Sequence, residues 1–363
     1  MKREIERSGR AGPARGFAAV FVVAVLAASV VSACDRPQAY GEANSLIVVA
    51  PDSLWAQLED TTYAALERTI RTVYQENRFQ VTQIEPGAEE WQNLKLFHQL
   101  VVFGTPGDDL MQQVLEAAGR SGADPPEVVQ AEGMWARGQL VTGVLLEPGD
   151  EAETWSELLD EVYESIDQQY RDFVFRRMYV SGVDTARMDS LRQRYGFSVR
   201  IPQVYQVQSH PERSMVIVRN DNPDPSELIR SLTVAWRPRM DSLVPDTAYS
   251  WRASVDSTFY NVPQAIVRDT VREPRRFNHN GRPALEVYGT WEDETEYPAA
   301  GPFVDWLVQC PKRTFLLDAW LYAPGEDKYQ YMLQLERLMN SFRCFPQEAA
   351  ADGATGGAGG RAG

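Results

Sequence analysis

The feature that most constrains this chain is its first apolar run, residues 16–33, which follows a basic leader. The leader carries five basic side chains: Lys2, Arg3, Arg7, Arg10 and Arg15. A positively charged start, an apolar segment and small residues at its end are typical of a secretory signal peptide and not of a membrane-spanning helix. We therefore expect residues 1–33 to be removed on export.

A cysteine follows the small residues at the end of this run, in the order Val31, Ser32, Ala33, Cys34. The pattern resembles a bacterial lipobox, and the resemblance implies that Cys34 becomes the first residue of the mature protein and is acylated. Acyl chains hold a protein to a membrane because each buried CH₂ group contributes ~0.8 kcal/mol. A signal peptide followed by a chance cysteine is the alternative. We expect lipidation at Cys34 and a location in the cell envelope, facing the periplasm from the inner or the outer membrane.

The charge of the chain limits its partners. The full chain has 36 basic and 51 acidic residues, and removing the leader's five basic and two acidic residues leaves a net charge of −18. Nucleic acid is bound through clustered Lys and Arg that displace counterions, so we expect no nucleic-acid partner. We find no Lys/Arg stripe, and anionic headgroups would repel such a body. The expected partners are the membrane, through the lipid on Cys34, and an unknown envelope protein or polymer.

The apolar pattern predicts an α+β fold in which antiparallel sheets are covered by helices. A Phe-led strand, an apolar strand and a short helix recur in both halves, which favours two similar lobes, although independent α+β patterning explains the same elements. The predicted organisation has five parts: a signal peptide at 1–33, a tether at 34–44, an N-terminal lobe at 45–196, a C-terminal lobe at 197–346 and a Gly/Ala-rich tail at 347–363. The tail has little to bury, and we expect it to be disordered.

The end of the chain gives the clearest prediction of structure. Asn280-Gly281 is a strong hairpin signal between alternating runs at 266–271 and 283–291. Two further strands are predicted at 303–309 and 315–322, followed by an amphipathic helix over 328–343. We therefore expect the fold to close with two antiparallel strands and a helix packed on them.

Cys310 and Cys344 are the cysteines that remain beside Cys34. Exported chains meet an oxidising compartment, in which two cysteines usually form a bond. The chain runs along one strand to Cys310, returns along the next, and is carried back by the predicted helix to Cys344. We expect a disulfide that stabilises the fold by ~4 kcal/mol, with two separate buried thiols as the alternative.

Candidate site residues fall on the closing strands. Asp305 and Asp318 each interrupt an apolar strand, and Trp291, Trp306 and Trp320 also lie on predicted strands. These five residues could line a pocket or groove, whereas satisfied strand positions and core packing are the simpler alternatives. The chain lacks the G-x-S-x-G, Walker A and G-x-G-x-x-G motifs, and its three histidines have no ligand-like spacing. The sequence therefore singles out no catalytic residue and predicts no metal site and no cofactor.

Three motifs at the end of the chain carry a family resemblance: G-P-F-V-D-W-L at 301–307, L-D-A-W-L-Y-A-P-G at 317–325 and Y-M-L-Q-L-E-R-L-M at 331–339. They resemble the bacterial lipoproteins catalogued as domain of unknown function 4837, over roughly Ser45 to Phe345. The resemblance implies an envelope location and a regular fold, and it assigns no activity. The strand–strand–helix ending is also similar to PsbP-like lipoproteins and photosystem subunits.

These observations favour a non-enzymatic, lipid-anchored envelope protein that binds or supports another component. One alternative is an enzyme that acts on envelope polymers with carboxylates. The other is a lipoprotein that binds a small ligand. A cleft in which two carboxylates meet would favour the enzyme, and an aromatic face would favour a partner.

Overall fold

The computed structural model describes residues 36–147, 152–221, 227–259, 264–293 and 299–345, without the side chains of 152–154 and 256–259. The predicted signal peptide, Cys34 and the tail at 347–363 lie outside these residues. The chain divides into two compact units, residues 1–63 with 80–162, and residues 64–79 with 163–363. Among the described helices, none is long and apolar enough to span a membrane. The predicted α+β class is confirmed.

The described strands are β1 Ser45–Val49, β2 Thr69–Arg71, β3 Gln75–Asn77, β4 Gln80–Ile84, β5 Gln99–Gly104, β6 Glu127–Glu132, β7 Leu140–Leu145, β8 Phe197–Ser198, β9 Gln206–His210, β10 Met215–Asp221, β11 Ile229–Pro238, β12 Ala265–Val267, β13 Arg275–His279, β14 Arg282–Asp293, β15 Ala299–Gln309, β16 Arg313–Tyr322 and β17 Arg343–Cys344. The described α-helices are α1 Asp52–Leu66, α2 Trp91–Leu94, α3 Asp109–Ala117, α4 Ala152–Met178, α5 Thr185–Tyr195, α6 Pro245–Phe259 and α7 Tyr329–Asn340. Two short 3₁₀ turns, Pro211–Arg213 and Arg268–Thr270, complete the set.

The first unit is built on a five-stranded sheet in the order β4-β1-β5-β7-β6. Strands β1, β4, β5 and β7 run parallel, and only the edge strand β6 is antiparallel to its neighbour. Parallel strands are buried on both faces and are therefore mostly apolar, and every residue of β5 and β7 is buried. Gly143 allows close packing there, because a Cβ atom would lie 2.9 Å from side chains of Val114 and Val129.

The second unit contains an eight-stranded sheet in the order β12-β14-β15-β16-β11-β10-β9, with β13 also paired to β14. Its strand pairs are antiparallel, as predicted for the fold. Side chains alternate between the two faces of each strand, so the sheet has two cores. One core includes Leu191 of α5 and Leu335 of α7, and the other includes Tyr249 and Trp251 of α6.

The predicted hairpin at Asn280-Gly281 joins β13 to β14, and both turn residues have positive φ, 53° and 77°. The strand before this turn is Arg275–His279 and not the predicted run at 266–271. The register explains the difference, since β12 pairs with the far end of the long β14. The predicted closing strands and helix are present as β15, β16 and α7.

The two units differ from the predicted lobes at 45–196 and 197–346 in extent and in architecture. The second unit takes in Met178 and Leu191, because both side chains belong to the core around Phe197. It also takes in the β2–β3 hairpin, where Glu76 Oε1 accepts a hydrogen bond from Lys328 Nζ at 2.9 Å. One sheet is mostly parallel and the other antiparallel, so the units are not two similar lobes.

Part of the predicted tether at 34–44 is packed on the first unit. The backbone N–H of Ala39 donates to the carbonyl of Arg137 at 3.0 Å, and Ala39 is buried. Tyr40 stacks edge-on against Phe97 with ring centroids 5.1 Å apart. The described residues from 36 onward are therefore anchored to the fold.

The structure places the predicted cysteine pair at bonding distance. Cys310 follows β15, and Cys344 lies on β17, which pairs with β8. The two Sγ atoms are joined, and the Cα atoms are 6.4 Å apart. The bond connects the end of the closing helix segment to the sheet on which that helix packs.

Candidate functional site: an arginine-lined groove

An open groove of about 640 Å³ lies within the second unit. The later turns of α4 and the residue after them supply six lining side chains: Gln168, Arg171, Asp172, Phe175, Arg176 and Tyr179. Arg200 and Arg337 complete the lining. The groove therefore carries four guanidinium groups and one carboxylate.

Helical spacing explains how α4 lines the groove. Its lining residues recur at intervals of three or four positions, which places them on one face of a helix. The opposite face is buried through Ile166, Tyr170 and Val174. Gly182, with φ at 92°, follows the helix and lets the chain turn away. Burial of the apolar face thus fixes the direction in which the polar face points.

Arg200 comes from the segment after β8. Its neighbours Val199 and Ile201 are fully buried, so alternation turns the Arg200 side chain outward. The Arg200 N–H donates to Ser341 Oγ at 2.8 Å, and the Arg200 carbonyl accepts from the Tyr179 hydroxyl at 2.8 Å. The guanidinium lies over the Tyr179 ring, 4.7 Å from its centroid. Burial raises the pKa of Tyr179, so its hydroxyl remains a donor.

Arg337 reaches the groove from the last turn of α7. Its guanidinium lies over the ring of Phe175 at 4.8 Å. The apolar side of α7 is buried in the core through Leu335, Leu338 and Met339, so Arg337 is left at the surface of the helix. Both Arg337 and Arg200 therefore lie over an aromatic ring, a contact that helps to hold each guanidinium group at the groove.

Arg171 is held differently, by hydrogen bonds to the protein. Its Nε donates to Asp167 Oδ2 at 2.6 Å, and its Nη2 donates to the Tyr329 hydroxyl at 3.1 Å. Glu336 Oε2 lies 3.7 Å from Nη1. Burial alone would lower the pKa of Arg171, but the hydrogen bond to Asp167 and the nearby negative charges raise it. Arg171 therefore lines the groove as a charged side chain whose position is fixed by hydrogen bonds.

The other three arginines of the groove differ from Arg171 in this respect. Among the described residues, no Asp or Glu oxygen lies within 4.0 Å of the guanidinium of Arg176, Arg200 or Arg337. Guanidinium groups bind carboxylates and phosphates in a planar, two-point arrangement. The groove therefore offers an anion three guanidinium groups that the described part of the fold does not neutralise.

Two of the candidate residues predicted from sequence form a second, buried cluster. Asp305 on β15 lies directly opposite Asp318 on β16, and both are fully buried. Arg252 of α6, also fully buried, donates through Nη1 to Asp318 Oδ1 and lies 4.0 Å from Asp305 Oδ1. Its Nη2 donates to Gln264 Oε1 at 2.5 Å, and its guanidinium lies 4.5 Å above the Phe303 ring.

The charges of this cluster do not balance when both carboxyl groups are ionised. Burial raises the pKa of Asp318, against the opposing effects of Arg252 and of a hydrogen bond with Asp305. One proton held by the two carboxyl groups leaves the cluster neutral, the state that a buried site favours. The two carboxylates therefore meet, but inside the core and not at a cleft.

The predicted tryptophans are divided between the two faces of the sheet. Trp291 and Trp320 pack edge to face at 5.7 Å, on the same side as Asp305 and Asp318. Trp306 lies on the other side, where its Nε1 donates to Glu286 Oε2 at 2.8 Å. All three are at most 3 % exposed. They fill the cores and do not line an open groove, because alternation along each strand points them inward.

The groove arginines are residues that the sequence analysis did not find. Residues 171–200 contain seven arginines and three aspartates, a local charge of +4 in a chain of net charge −15. This cluster was the available signal, and averaging charge over the whole chain obscured it. Arg337 gave no local signal, since it joins the groove only through the packing of α7. Within the described ranges, no group of three His, Cys, Asp or Glu residues could hold a metal ion.

A family model matches residues 184–341, and its description is Domain of unknown function (DUF4837). The predicted resemblance is confirmed over this range, which is shorter than the expected span from Ser45 to Phe345. The match includes Arg200, Arg337 and the buried Arg252 cluster, and it leaves out α4. No curated protein matches the chain.

Three solved structures are similar to about two fifths of the chain. PsbP (CyanoP) of Synechocystis sp. PCC 6803 is 10% identical, with 41% of this chain and 87% of that chain covered and a TM-score of 0.28. LpqN of Mycobacterium tuberculosis, involved in cell envelope biogenesis, is 11% identical, with 41% and 83% covered and a TM-score of 0.29. A protein from Bacteroides thetaiotaomicron is 9% identical, with 41% and 45% covered and a TM-score of 0.25. Similarity at this level assigns no function to the chain.

Proposed function

We propose that this protein is a lipid-anchored component of the cell envelope that binds a negatively charged partner through the arginine-lined groove. The observation that carries the proposal is the set of guanidinium groups of Arg176, Arg200 and Arg337 in one open groove of an acidic chain. An acidic protein repels anions in general, so a local positive groove restricts binding to partners that fit it.

The anchoring part of the proposal is supported by the leader. A basic start, an apolar run and Val31-Ser32-Ala33-Cys34 form the signal, and lipid on Cys34 would keep the protein at a membrane. The bonded pair Cys310–Cys344 is in keeping with export to an oxidising compartment.

The binding role is favoured over the enzyme alternative by the position of the carboxylates. Asp305 and Asp318 are fully buried and engaged with Arg252, so a polymer chain has no route to them in this fold. A carboxylate enzyme needs both groups at the scissile bond. The groove, in contrast, is open to solvent and carries fixed donors.

Anchoring is tested by expressing the full-length chain in a bacterium and analysing the membrane fraction by mass spectrometry. We expect an N-terminal peptide that begins at an acylated Cys34. Cys34→Ala should move the protein out of the membrane fraction. An unmodified Cys34 peptide, or a wild-type protein recovered free of membranes, would contradict the anchor.

Anion binding is tested with the secreted form of the chain that lacks the lipid, passed over immobilised poly-glutamate and immobilised polyphosphate. We expect salt-sensitive retention on at least one of them, although both chain and resin are net negative. Arg176→Gln/Arg200→Gln/Arg337→Gln should abolish retention. Absence of retention of the wild type on both resins at low salt would refute the binding role.

A further inference from the structure

We infer that the groove binds an extended, acidic peptide segment of another envelope protein. This inference rests on the proposed function and specifies its ligand. It is drawn from the length of the groove, from its mixture of donors and acceptors, and from the way its arginines are held.

The length of the groove fits a chain and exceeds a single anion. The lining residues of this segment run from Gln168 on α4 to Tyr179 directly after it, and eleven residues of α-helix span about 16 Å. An extended peptide covers this distance with about five residues. Arg171 and Arg176 lie along that length. Arg337 lies over the ring of Phe175, and Arg200 lies over the ring of Tyr179, so these two arginines are also spaced along the groove. Positive charge is therefore distributed along the groove, as a segment with repeated carboxylates requires.

The groove also presents acceptors, which distinguishes a peptide from a polyphosphate. Gln168 and Asp172 both line the groove, and Gln168 Nε2 donates to Asp172 Oδ1 at 3.2 Å, a bond that does not use Asp172 Oδ2 or the amide oxygen of Gln168. A peptide backbone supplies N–H donors for such oxygens. A polyphosphate supplies acceptors only and leaves these oxygens without donors. The lining thus matches a ligand that combines carboxylates with amide N–H groups.

Three of the four groove arginines are held in place before any ligand arrives. Arg200 and Arg337 lie over aromatic rings, and Arg171 is fixed by Asp167 and Tyr329. Side chains that are already ordered lose less entropy on binding, which improves affinity without new contacts. A planar guanidinium suits the two oxygens of a carboxylate.

The test is a fluorescence-anisotropy titration of the lipid-free chain with a fluorescein-labelled peptide of alternating glutamate and serine. The matched variants are Arg176→Gln, which removes a groove arginine, and Arg177→Gln, which removes the next residue of the same helix. Both side chains are exposed and both variants change the net charge equally. We expect about a tenfold loss of affinity for Arg176→Gln, from one charge-assisted contact, and little change for Arg177→Gln. Arg200→Lys, which keeps the charge and loses the planar fork, should also weaken binding.

Three competitors separate the outcomes: unlabelled peptide, inorganic polyphosphate of equal charge and phosphatidylglycerol vesicles. Displacement by the peptide and by neither of the others supports the inference. Tighter binding of polyphosphate or of the vesicles than of the peptide would overturn it while leaving anion binding intact. Equal losses for Arg176→Gln and Arg177→Gln would also overturn it, because the contact would then depend on general charge. Binding of no probe would refute the proposed function itself.

Discussion

Two regions of the second unit use arginine against an aromatic ring, and they differ in what neutralises the charge. Arg252 lies over Phe303, is fully buried and shares a cluster with Asp305 and Asp318. Arg337 lies over Phe175 at a similar distance, at the edge of an open groove. The first arginine is matched by carboxylates of its own chain. The described residues provide no carboxylate for the second.

The comparison separates a structural use of arginine from a binding use. A buried guanidinium must be paired within the fold, because an unpaired charge in the core costs several kcal/mol. A solvated guanidinium costs little, so it can remain available to a ligand. Mutation of the buried Arg252 should therefore lower the stability of the protein. Mutation of the groove arginines should mainly lower the affinity for a ligand.

The largest expected effect is on the core. Arg252→Met should lower the free energy of unfolding by about 3–5 kcal/mol, because it leaves buried carboxyl groups without their cation. Urea denaturation followed by tryptophan fluorescence measures it. Arg237→Met is the control. Arg237 on β11 is exposed, and its guanidinium lies 4.4 Å from the ring centroid of Trp251, which is next to Arg252 on α6. A loss below about 1 kcal/mol for Arg252→Met would contradict the structural role.

The disulfide Cys310–Cys344 lies in the same unit, and the effect of removing it on the free energy of unfolding can be compared with that of Arg252→Met. Replacing Cys310 and Cys344 together by serine opens a loop with a sequence separation of 34 and should cost about 2–4 kcal/mol. The largest loss of unfolding free energy expected for the cysteine variant, about 4 kcal/mol, is smaller than the largest loss expected for Arg252→Met, about 5 kcal/mol. Thiol labelling of the unfolded, unreduced protein from the envelope checks the bond, which two reactive cysteines would disprove.

The pH dependence of stability sharpens the account of the buried cluster. Because burial raises the pKa of Asp318 above its usual value of 3.8, the folded chain retains a proton that the unfolded chain has released. This contribution to stability is complete at pH values below the pKa of Asp318 in the unfolded chain. It is lost as the pH rises through the higher pKa of Asp318 in the folded chain. We expect unfolding free energies measured across this range to fall less steeply with pH for Asp318→Asn. Parallel curves for wild type and variant would contradict the proton assignment.

The smallest expected change in stability is in the groove. Arg176→Gln/Arg200→Gln/Arg337→Gln removes two ring contacts, one at the exposed Arg200 and one at the half-buried Arg337, each worth about 0.5–1 kcal/mol. The same urea experiment should show a loss of at most about 2 kcal/mol. A loss as large as that of Arg252→Met would show that these arginines serve the fold, and the contrast between the two regions would fail.

Sequence patterns predicted the closing part of the fold because its signals are local. Apolar runs indicated β15 and β16, the stripe of Leu335, Leu338 and Met339 indicated α7, and Asn280-Gly281 indicated a turn. The geometry of two strands and a helix then placed Cys310 near Cys344. The runs of β1, β5 and β7 are mostly apolar, which is typical of strands buried on both faces, but the prediction of antiparallel sheets did not use this signal, so the parallel sheet was not predicted.

The sites were harder to predict, because their residues come from distant parts of the chain. Asp305 and Asp318 were recognised as polar interruptions, and the register of β15 and β16, which was not predicted, makes them neighbours. Their partner Arg252 lies on a helix with no sequence signal that links it to them. The groove required Arg200 and Arg337 to meet α4, which only tertiary packing determines.

The most direct measurement of the central claim is phenylglyoxal footprinting of arginine side chains, read by peptide mass mapping with and without the glutamate–serine peptide. We expect Arg176, Arg200 and Arg337 to react in the free protein and to be protected by the peptide. Arg177 should react equally in both samples, and the buried Arg252 should not react in either. Unchanged reactivity of the three groove arginines on addition of a peptide that binds, or equal protection of Arg177, would contradict the claim.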